Sequence, residues 1–177
     1  MPTTLPTPEP GGAATPSPGS GPAADESCSA GTEAWWTEMP QPCLGRVGLT
    51  GAAAELLLQL VRRHGPVMFH QSGGCCDGSA PMCYPDGDFL TGDADVLLGH
   101  LVVPGLAELG QDRVPVWISR AQYPAWRHTH LFIDAVPGRG AGFSLEGPEG
   151  LRFLTRSRLL TEQEAAQPLP GPDDASA

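Results

Sequence analysis

Residues 50–70 read TGAAAELLLQLVRRHGPVMFH, a helical pattern that passes directly into a strand pattern. Apolar side chains recur at helical spacing through residues 53–61. Thr50 is a suitable N-cap for this helix. Gly65 and the proline after it end the helix, because proline cannot continue it. The sequence therefore predicts one amphipathic helix, followed at once by a short strand over residues 67–70.

Further apolar runs lie C-terminal to this strand and are separated by glycine, proline and aspartate. They predict strands over residues 96–98, 114–118, 131–136 and 151–154. Residues 119–126 predict a helical turn, which its proline limits. One helix before several strands is typical of an α+β fold that is mainly β. We expect an N-terminal helix followed by an antiparallel or barrel-like sheet.

Composition divides the chain into three parts. Residues 1–45 form a Pro/Gly-rich acidic arm and residues 161–177 an acidic tail, and we expect both to be disordered because they lack apolar periodicity. Residues 46–160 are expected to form a single globular domain. All ten basic residues are arginines of this domain, which also holds 11 of the 20 acidic residues. The domain is therefore nearly neutral, which argues against nucleic-acid binding.

The absence of lysine from the sequence excludes Schiff-base, pyridoxal-phosphate and phosphate-loop lysine chemistry. No apolar run approaches the roughly 18 residues of a membrane helix. The first residues lack the basic and apolar segments of a secretory signal. We therefore expect a cytoplasmic protein without a membrane partner. In a reducing compartment its five cysteines indicate metal ligands or reactive thiols rather than disulfides.

The candidate site is a glycine-rich loop that begins at His70 and contains Cys75, Cys76 and Cys83. Thiolate and imidazole groups suit zinc, iron or copper(I), so these four residues are the predicted metal ligands. Adjacent Cα atoms lie about 3.8 Å apart, closer than the roughly 4.4–6.8 Å of a disulfide, so a bridge between the two neighbouring cysteines would be strained. The glycines and prolines of the loop predict no regular secondary structure within it.

Two other interpretations of this loop remain open. Cys75 or Cys76 is a nucleophile that attacks an electrophile such as an aldehyde, with His70 as base and Cys83 as resolving thiol. Alternatively, the cysteines are small buried hydrophobic residues. A second pair of imidazoles, His128 and His130, would share one face of a strand. Two interpretations of that pair are open. The two histidines are additional metal ligands, or they are solvated polar residues at the start of the strand.

Four segments of the sequence resemble a bacterial family, domain of unknown function 779. They are HQSGGCCDGSAPMCYP (residues 70–85), ISRAQY (118–123), GFSLE (142–146) and RFLTRS (152–157). Members of that family are often encoded beside aldehyde or alcohol dehydrogenases. The resemblance therefore implies an accessory role, with such a dehydrogenase as the partner.

A more distant resemblance is to the A-type (HesB-like) iron–sulfur carriers. It rests on the order of helix, strand and Gly-Gly-Cys turn in residues 49–75 and on Gly-Phe at residues 142–143. It implies a HesB-like fold with Cys75 as the first cluster ligand. Those carriers have a Cys-Gly-Cys near the carboxyl end that this chain lacks, so Cys83 and His70 would replace it.

These observations predict a metal- or iron–sulfur-binding accessory protein that serves aldehyde or alcohol oxidation. The cofactor would be zinc, iron or an iron–sulfur cluster. The alternatives are a small thiol-dependent redox or aldehyde-reactive enzyme, and a non-catalytic regulatory module that docks on the dehydrogenase.

Overall fold

A computed structural model of the chain describes residues 44–71, 80–140 and 142–169. Its longest helix, α1, spans Gly51–His64. The Thr50 hydroxyl accepts a hydrogen bond from the Ala53 N–H, and Gly65 ends the helix at a φ of 80°. The predicted helix and both of its ends are therefore confirmed. Its apolar stripe, which includes Leu56, Leu57 and Leu60, is buried in the core.

Five strands form the first sheet. In chain order they are β1 (Leu44–Gly45), β3 (Val67–Gln71), β4 (Pro81–Pro85), β5 (Asp95–Leu101) and β6 (Val114–Ser119). Their spatial order is β1-β5-β6-β3-β4. Strand β3 runs parallel to β6, and the other neighbouring pairs are antiparallel.

Three strands form the second sheet, in the order β2-β7-β8. They are β2 (Val47–Leu49), β7 (Thr129–Pro137) and β8 (Leu151–Leu159). Strand β2 is parallel to β7, and β7 is antiparallel to β8 over nine paired positions. Phe69 of the first sheet packs edge-on against Phe153 of the second, with ring centroids 5.0 Å apart. The hydrophobic core therefore lies between the two sheets and α1.

Four short helical segments complete the described fold. They are the 3-10 turns Ala107–Leu109 and Gly147–Glu149 and the helices α2 (Tyr123–Trp126) and α3 (Glu162–Ala165). Thr161 and Glu164 form a capping box at the start of α3. Arg158 of β8 donates to both carboxylate oxygens of Glu164, which attaches α3 to the second sheet. Among the described residues, no helix is long and apolar enough to cross a membrane.

The predicted fold class is wrong in its architecture. Strands β1 and β2 precede α1, so the helix is not N-terminal to the fold. The described strands form two mixed sheets rather than one antiparallel or barrel-like sheet, and they do not close into a barrel. The HesB-like fold was part of this fold prediction, and it is wrong for the same reasons. Apolar alternation indicates a strand but not the direction of its neighbour, and strands of two or three residues are too short to show alternation.

Strand β4 lies within the segment for which no regular structure was predicted. Its prolines, Pro81 and Pro85, stand at its two ends, and the strand forms the edge of the first sheet. Proline is tolerated at an edge because one side of such a strand needs no ladder hydrogen bonds. The prediction from proline content was therefore wrong for residues 81–85.

Gly45 allows the chain to pass from the first sheet to the second. Its φ is 97°, and a Cβ atom there would lie 2.6 Å from the Leu98 carbonyl oxygen and 2.8 Å from the Gly99 Cα. Both neighbours are backbone atoms of β5 and cannot rotate away. Strand β1 therefore pairs closely with β5 only because residue 45 has no side chain.

We expect Gly45→Ala to lower the free energy of unfolding by about 2 kcal/mol or more, because it combines a strained φ with a backbone clash. Chemical denaturation measures this loss. Gly51→Ala is the matched control, since a Cβ there meets nothing within 4 Å. Equal effects of the two substitutions would contradict the importance of the close approach at Gly45.

Candidate functional site

Strand β3 positions the first predicted site residue, His70. The strand is hydrogen-bonded to β4 on one side and to β6 on the other, and all five of its residues are buried. The Gln111 side chain braces its first residue, because it donates to the Val67 carbonyl (2.6 Å) and accepts from the Val67 N–H (2.9 Å). His70 is therefore part of a rigid element at the point where the chain enters residues 72–79.

The register of the first sheet separates its side chains onto two faces. Phe69 is opposite Cys83 and Val116, and this inner face packs against the second sheet. His70 is opposite Met82 and Trp117. Because side chains alternate along a strand, the second set lies on the outer face, away from the core.

His70 is held on the outer face by Asp95 of β5. Its Nε2 lies 2.9 Å from Asp95 Oδ1, and the second carboxylate oxygen accepts the Gly92 N–H at 3.0 Å. The ring of Phe89 covers the imidazole, with centroids 4.3 Å apart. His70 is consequently only 4% exposed, although it faces away from the core.

The surroundings of Asp95 hold its carboxyl in the ionised form. Burial alone would raise its pKa, but hydrogen bonds from His70 and the Gly92 N–H, with the nearby charges of His70 and Arg120, lower the pKa below its ordinary value. An ionised carboxylate can only accept a hydrogen bond, so Nε2 of His70 donates its N–H to Asp95 Oδ1. The neutral imidazole therefore carries its proton on Nε2 and its lone pair on Nδ1.

The Nδ1 atom of His70 is buried and has no hydrogen-bond partner in the structure of the described residues. A buried polar atom without a partner is costly and often marks a site that binds an ion, a proton donor or a ligand. The ring thus has one nitrogen fixed by a carboxylate and one free lone pair. This is the arrangement of an oriented general base or of a histidine that binds a metal.

Cys83 lies apart from this arrangement. Its side chain is on the inner face, fully buried in the core, whereas His70 is on the outer face. Burial raises the pKa of the Cys83 thiol strongly, and the negative charge of Glu146 raises it further. Its backbone N–H donates to the Ser144 hydroxyl at 2.8 Å, and that hydroxyl donates to Glu146. The described structure therefore does not bring Cys83 together with His70.

Cys75 and Cys76 fall outside the described residues, so their role as ligands stays a prediction. Among residues 44–71, 80–140 and 142–169, no group of three or more His, Cys, Asp or Glu side chains is placed to hold a metal ion.

The second pair of histidines considered in the sequence, His128 and His130, belongs to a different part of the fold. His130 is on β7 of the second sheet, where its ring stacks on Phe132 with centroids 4.5 Å apart. Burial and the charge of Arg158 lower the pKa of His130, although Glu164 opposes them. Nε2 of His128 accepts a hydrogen bond from Arg127. His70 is in the first sheet, so the structure groups neither histidine with it.

Sequence reasoning missed Asp95 as the partner of His70. Asp95 lies 25 residues after His70 in the sequence and was not among the predicted site residues. The pairing arises because β5 and β3 lie on either side of β6, which places Asp95 and His70 on the same face. No spacing within one segment could indicate this contact.

Asp95 also lines an open cleft of about 460 Å³. It is lined by Asp95 and Leu97 of β5, Trp117 of β6, the Asp93 turn and Arg120, with Leu169 at its edge. Asp95 therefore borders two features, the His70 ring and this cleft.

Comparison with known protein families gives a match over more than half of the chain. The profile of a family described as a domain of unknown function (DUF779) matches residues 56–159, which hold the last nine residues of α1, both sheets except β1 and β2, and the His70–Asp95 pair. No curated protein and no solved structure matches the chain.

Asp95→Asn should lower the free energy of unfolding by about 1–2 kcal/mol at pH 7, because it replaces an ionised acceptor of two hydrogen bonds. The folded pKa of Asp95 is lowered, so its contribution is complete above about pH 4 and is lost as the pH falls through the folded value. Denaturation at a series of pH values measures the difference between the two proteins.

The difference should therefore shrink toward zero as the solution is acidified. Asp93→Asn is the control and should change stability by less than about 0.5 kcal/mol, since its side chain makes no ion pair with a described residue. A constant difference down to about pH 2 would contradict the ionised state of Asp95.

Cys83 should resist alkylation in the native protein, because its thiol is buried and its pKa is raised. We expect iodoacetamide to modify it about 100-fold or more slowly than in denaturant, since reaction requires local opening. Mass spectrometry of peptides resolves Cys83 from the other four cysteines. Equal rates in the two conditions would show that the inner face is open.

Proposed function

The chain belongs to the family described as a domain of unknown function (DUF779), and within it we propose that this protein carries out thiol chemistry in which His70 activates Cys75 or Cys76. One observation carries the proposal. Nε2 of His70 is fixed by Asp95, while Nδ1 is buried and has no partner among the described residues.

Asp95 gives His70 the properties of a general base. The carboxylate fixes the tautomer, so the Nδ1 lone pair is available to take a proton. Phe89 covers the ring and Gly92 holds the second carboxylate oxygen, so the pair keeps its orientation. A base held in this way is what a weakly acidic thiol needs to become a thiolate near neutral pH.

Cys75 and Cys76 enter the proposal through the sequence. Both follow His70 within six residues and precede the return of the chain along β4. In an extended segment adjacent side chains point in opposite directions, so we assign one of the two to His70. Cys83 is not assigned a resolving role, because it lies on the inner face with a raised pKa.

The chemistry we propose is addition of the thiolate to an aldehyde. The thiol proton passes to Nδ1 of His70, and a sulfur–carbon bond forms as the carbonyl π bond breaks. The carbonyl oxygen then takes the proton from the imidazolium, which gives a hemithioacetal. Atoms and charge balance without an oxidant, and the step is reversible. The protein would in this way bind an aldehyde or pass it to an aldehyde or alcohol dehydrogenase.

Metal binding is the second candidate, and the same observation favours it. Histidine ligands of metals usually donate their other ring N–H to a carboxylate, as His70 does to Asp95. His70 Nδ1 with the thiolate of Cys75 or Cys76 would suit zinc, iron or an iron–sulfur cluster. An accessory protein of a dehydrogenase would then carry the metal rather than a covalent adduct. Cys83 lies on the inner face and His70 on the outer face, so Cys83 does not join His70 as a metal ligand. Metal binding would therefore lack at least one of the four predicted ligands.

We expect either Cys75 or Cys76 to react with iodoacetamide at pH 7 at least about tenfold faster than Cys28, which serves as the reference thiol of the same chain. His70→Gln should abolish the excess rate, because the base is lost, and Asp95→Asn should reduce it. Peptide mass spectrometry after timed quenching gives the rates. If Cys75 and Cys76 both react as slowly as Cys28 in metal-free protein, the thiol proposal is wrong.

Metal analysis of anaerobically purified protein distinguishes metal binding from the proposed thiol chemistry. Metal that is lost in His70→Gln and in Cys75→Ser or Cys76→Ser, and retained in Cys83→Ser, would favour metal binding over a nucleophile. Bound metal would also protect the ligating thiols from alkylation until a chelator is added. Protein that is isolated without metal and fails to bind added zinc would exclude this candidate.

A further inference from the structure

We propose that the cleft beside Asp95 binds a small monocarboxylate, with Arg120 holding the carboxylate group. The cleft has a volume of about 460 Å³, which falls in the range of small-molecule sites. This inference goes beyond the proposed thiol chemistry and does not depend on it, because it uses neither Cys75 nor Cys76.

Arg120 is held by its backbone and by one side-chain nitrogen. Its N–H donates to the Ala94 carbonyl and its Nε donates to the Asp93 carbonyl, both at 2.7 Å. Its terminal nitrogens have no acceptor among the described residues. Arg120 is an exposed residue that lines the cleft, and its terminal N–H donors are therefore available to a ligand there. Such a planar pair of donors matches the two oxygens of a carboxylate.

Neither carboxylate of the cleft accepts a hydrogen bond from this guanidinium, although the Arg120 charge acts on Asp95. Both oxygens of Asp95 are already engaged, one by His70 and the other by the Gly92 N–H. Asp93 meets Arg120 through its backbone carbonyl, and its carboxylate makes no ion pair with a described residue. Arg120 is the single cationic side chain among the described residues that line the cleft. An anionic group that binds in the cleft would therefore be held by Arg120.

The rest of the lining suits an apolar body. Leu97 and Trp117 are cross-strand partners on the outer face of the first sheet, and Leu169 lies at the edge of the same cleft. An aromatic or branched aliphatic group would bury its surface mainly against Trp117 and Leu169, which are partly exposed, because Leu97 is already buried. A carboxylate at one end and an apolar body at the other define the ligand class.

Isothermal titration of the full chain with benzoate at pH 7 tests this proposal. We expect saturable binding with a dissociation constant of about 1 mM or tighter. Benzamide has the same shape without the charge and should bind at least about tenfold more weakly. Arg120→Gln should weaken benzoate binding by a similar factor, whereas Arg62→Gln, on the exposed side of α1, should leave it unchanged.

Three results would overturn the proposal. They are the absence of saturation up to about 10 mM benzoate, equal binding of benzamide, and undiminished binding by Arg120→Gln with an unchanged thermal midpoint. A variant with Cys75→Ser and Cys76→Ser should retain benzoate binding in full. Loss of thiol reactivity and loss of carboxylate binding are thereby measured separately.

Discussion

The packing of Phe69 against Phe153 joins the two sheets, and the placement of the candidate site depends on it. Phe69 must face the core for this contact to form. Because side chains alternate along β3, the next residue, His70, must then face the opposite side. The aromatic contact therefore fixes which face of the first sheet carries the imidazole. A shift of one residue in the register of β3 would exchange the two and place a polar ring in the core.

The two faces of the first sheet impose different chemistry on groups that are close in sequence. Cys83 shares the inner face with Phe69, where burial suppresses thiolate formation. His70 and Asp95 share the outer face, where an ionised carboxylate and a free imidazole lone pair are kept side by side. His70 and Cys83 are close in the sequence, but they lie on opposite faces of the first sheet. The roles of Cys75 and Cys76 as ligands remain predictions, because these residues lie outside the described part of the chain.

Sequence reasoning succeeded where structure is local. The ends of α1 follow from Thr50 and Gly65, since a hydroxyl cap and a residue with positive φ act within one turn. The apolar runs over residues 114–118 and 131–136 likewise lie in strands β6 and β7. Sequence reasoning failed where contacts join segments that are distant in the sequence. The parallel pairing of β3 with β6 is one such contact, and the hydrogen bond between His70 and Asp95 is another. A short strand with a proline at each end also carries no apolar alternation that could have indicated it.

The attachment of α3 bears on how the protein can be joined to other sequences. Glu164 accepts hydrogen bonds from Arg158, from the Thr161 N–H and from the Thr161 hydroxyl, and its pKa is lowered to about 2, chiefly by Arg158. If the chain is cut after residue 160 and a tag or fusion partner is attached there, the Glu164 carboxylate is lost. The Arg158 guanidinium beside His130 then has no counter-charge from α3. A junction placed after residue 169 keeps the carboxylate. The suitable point for a genetic fusion is thus set by one side chain of a four-residue helix.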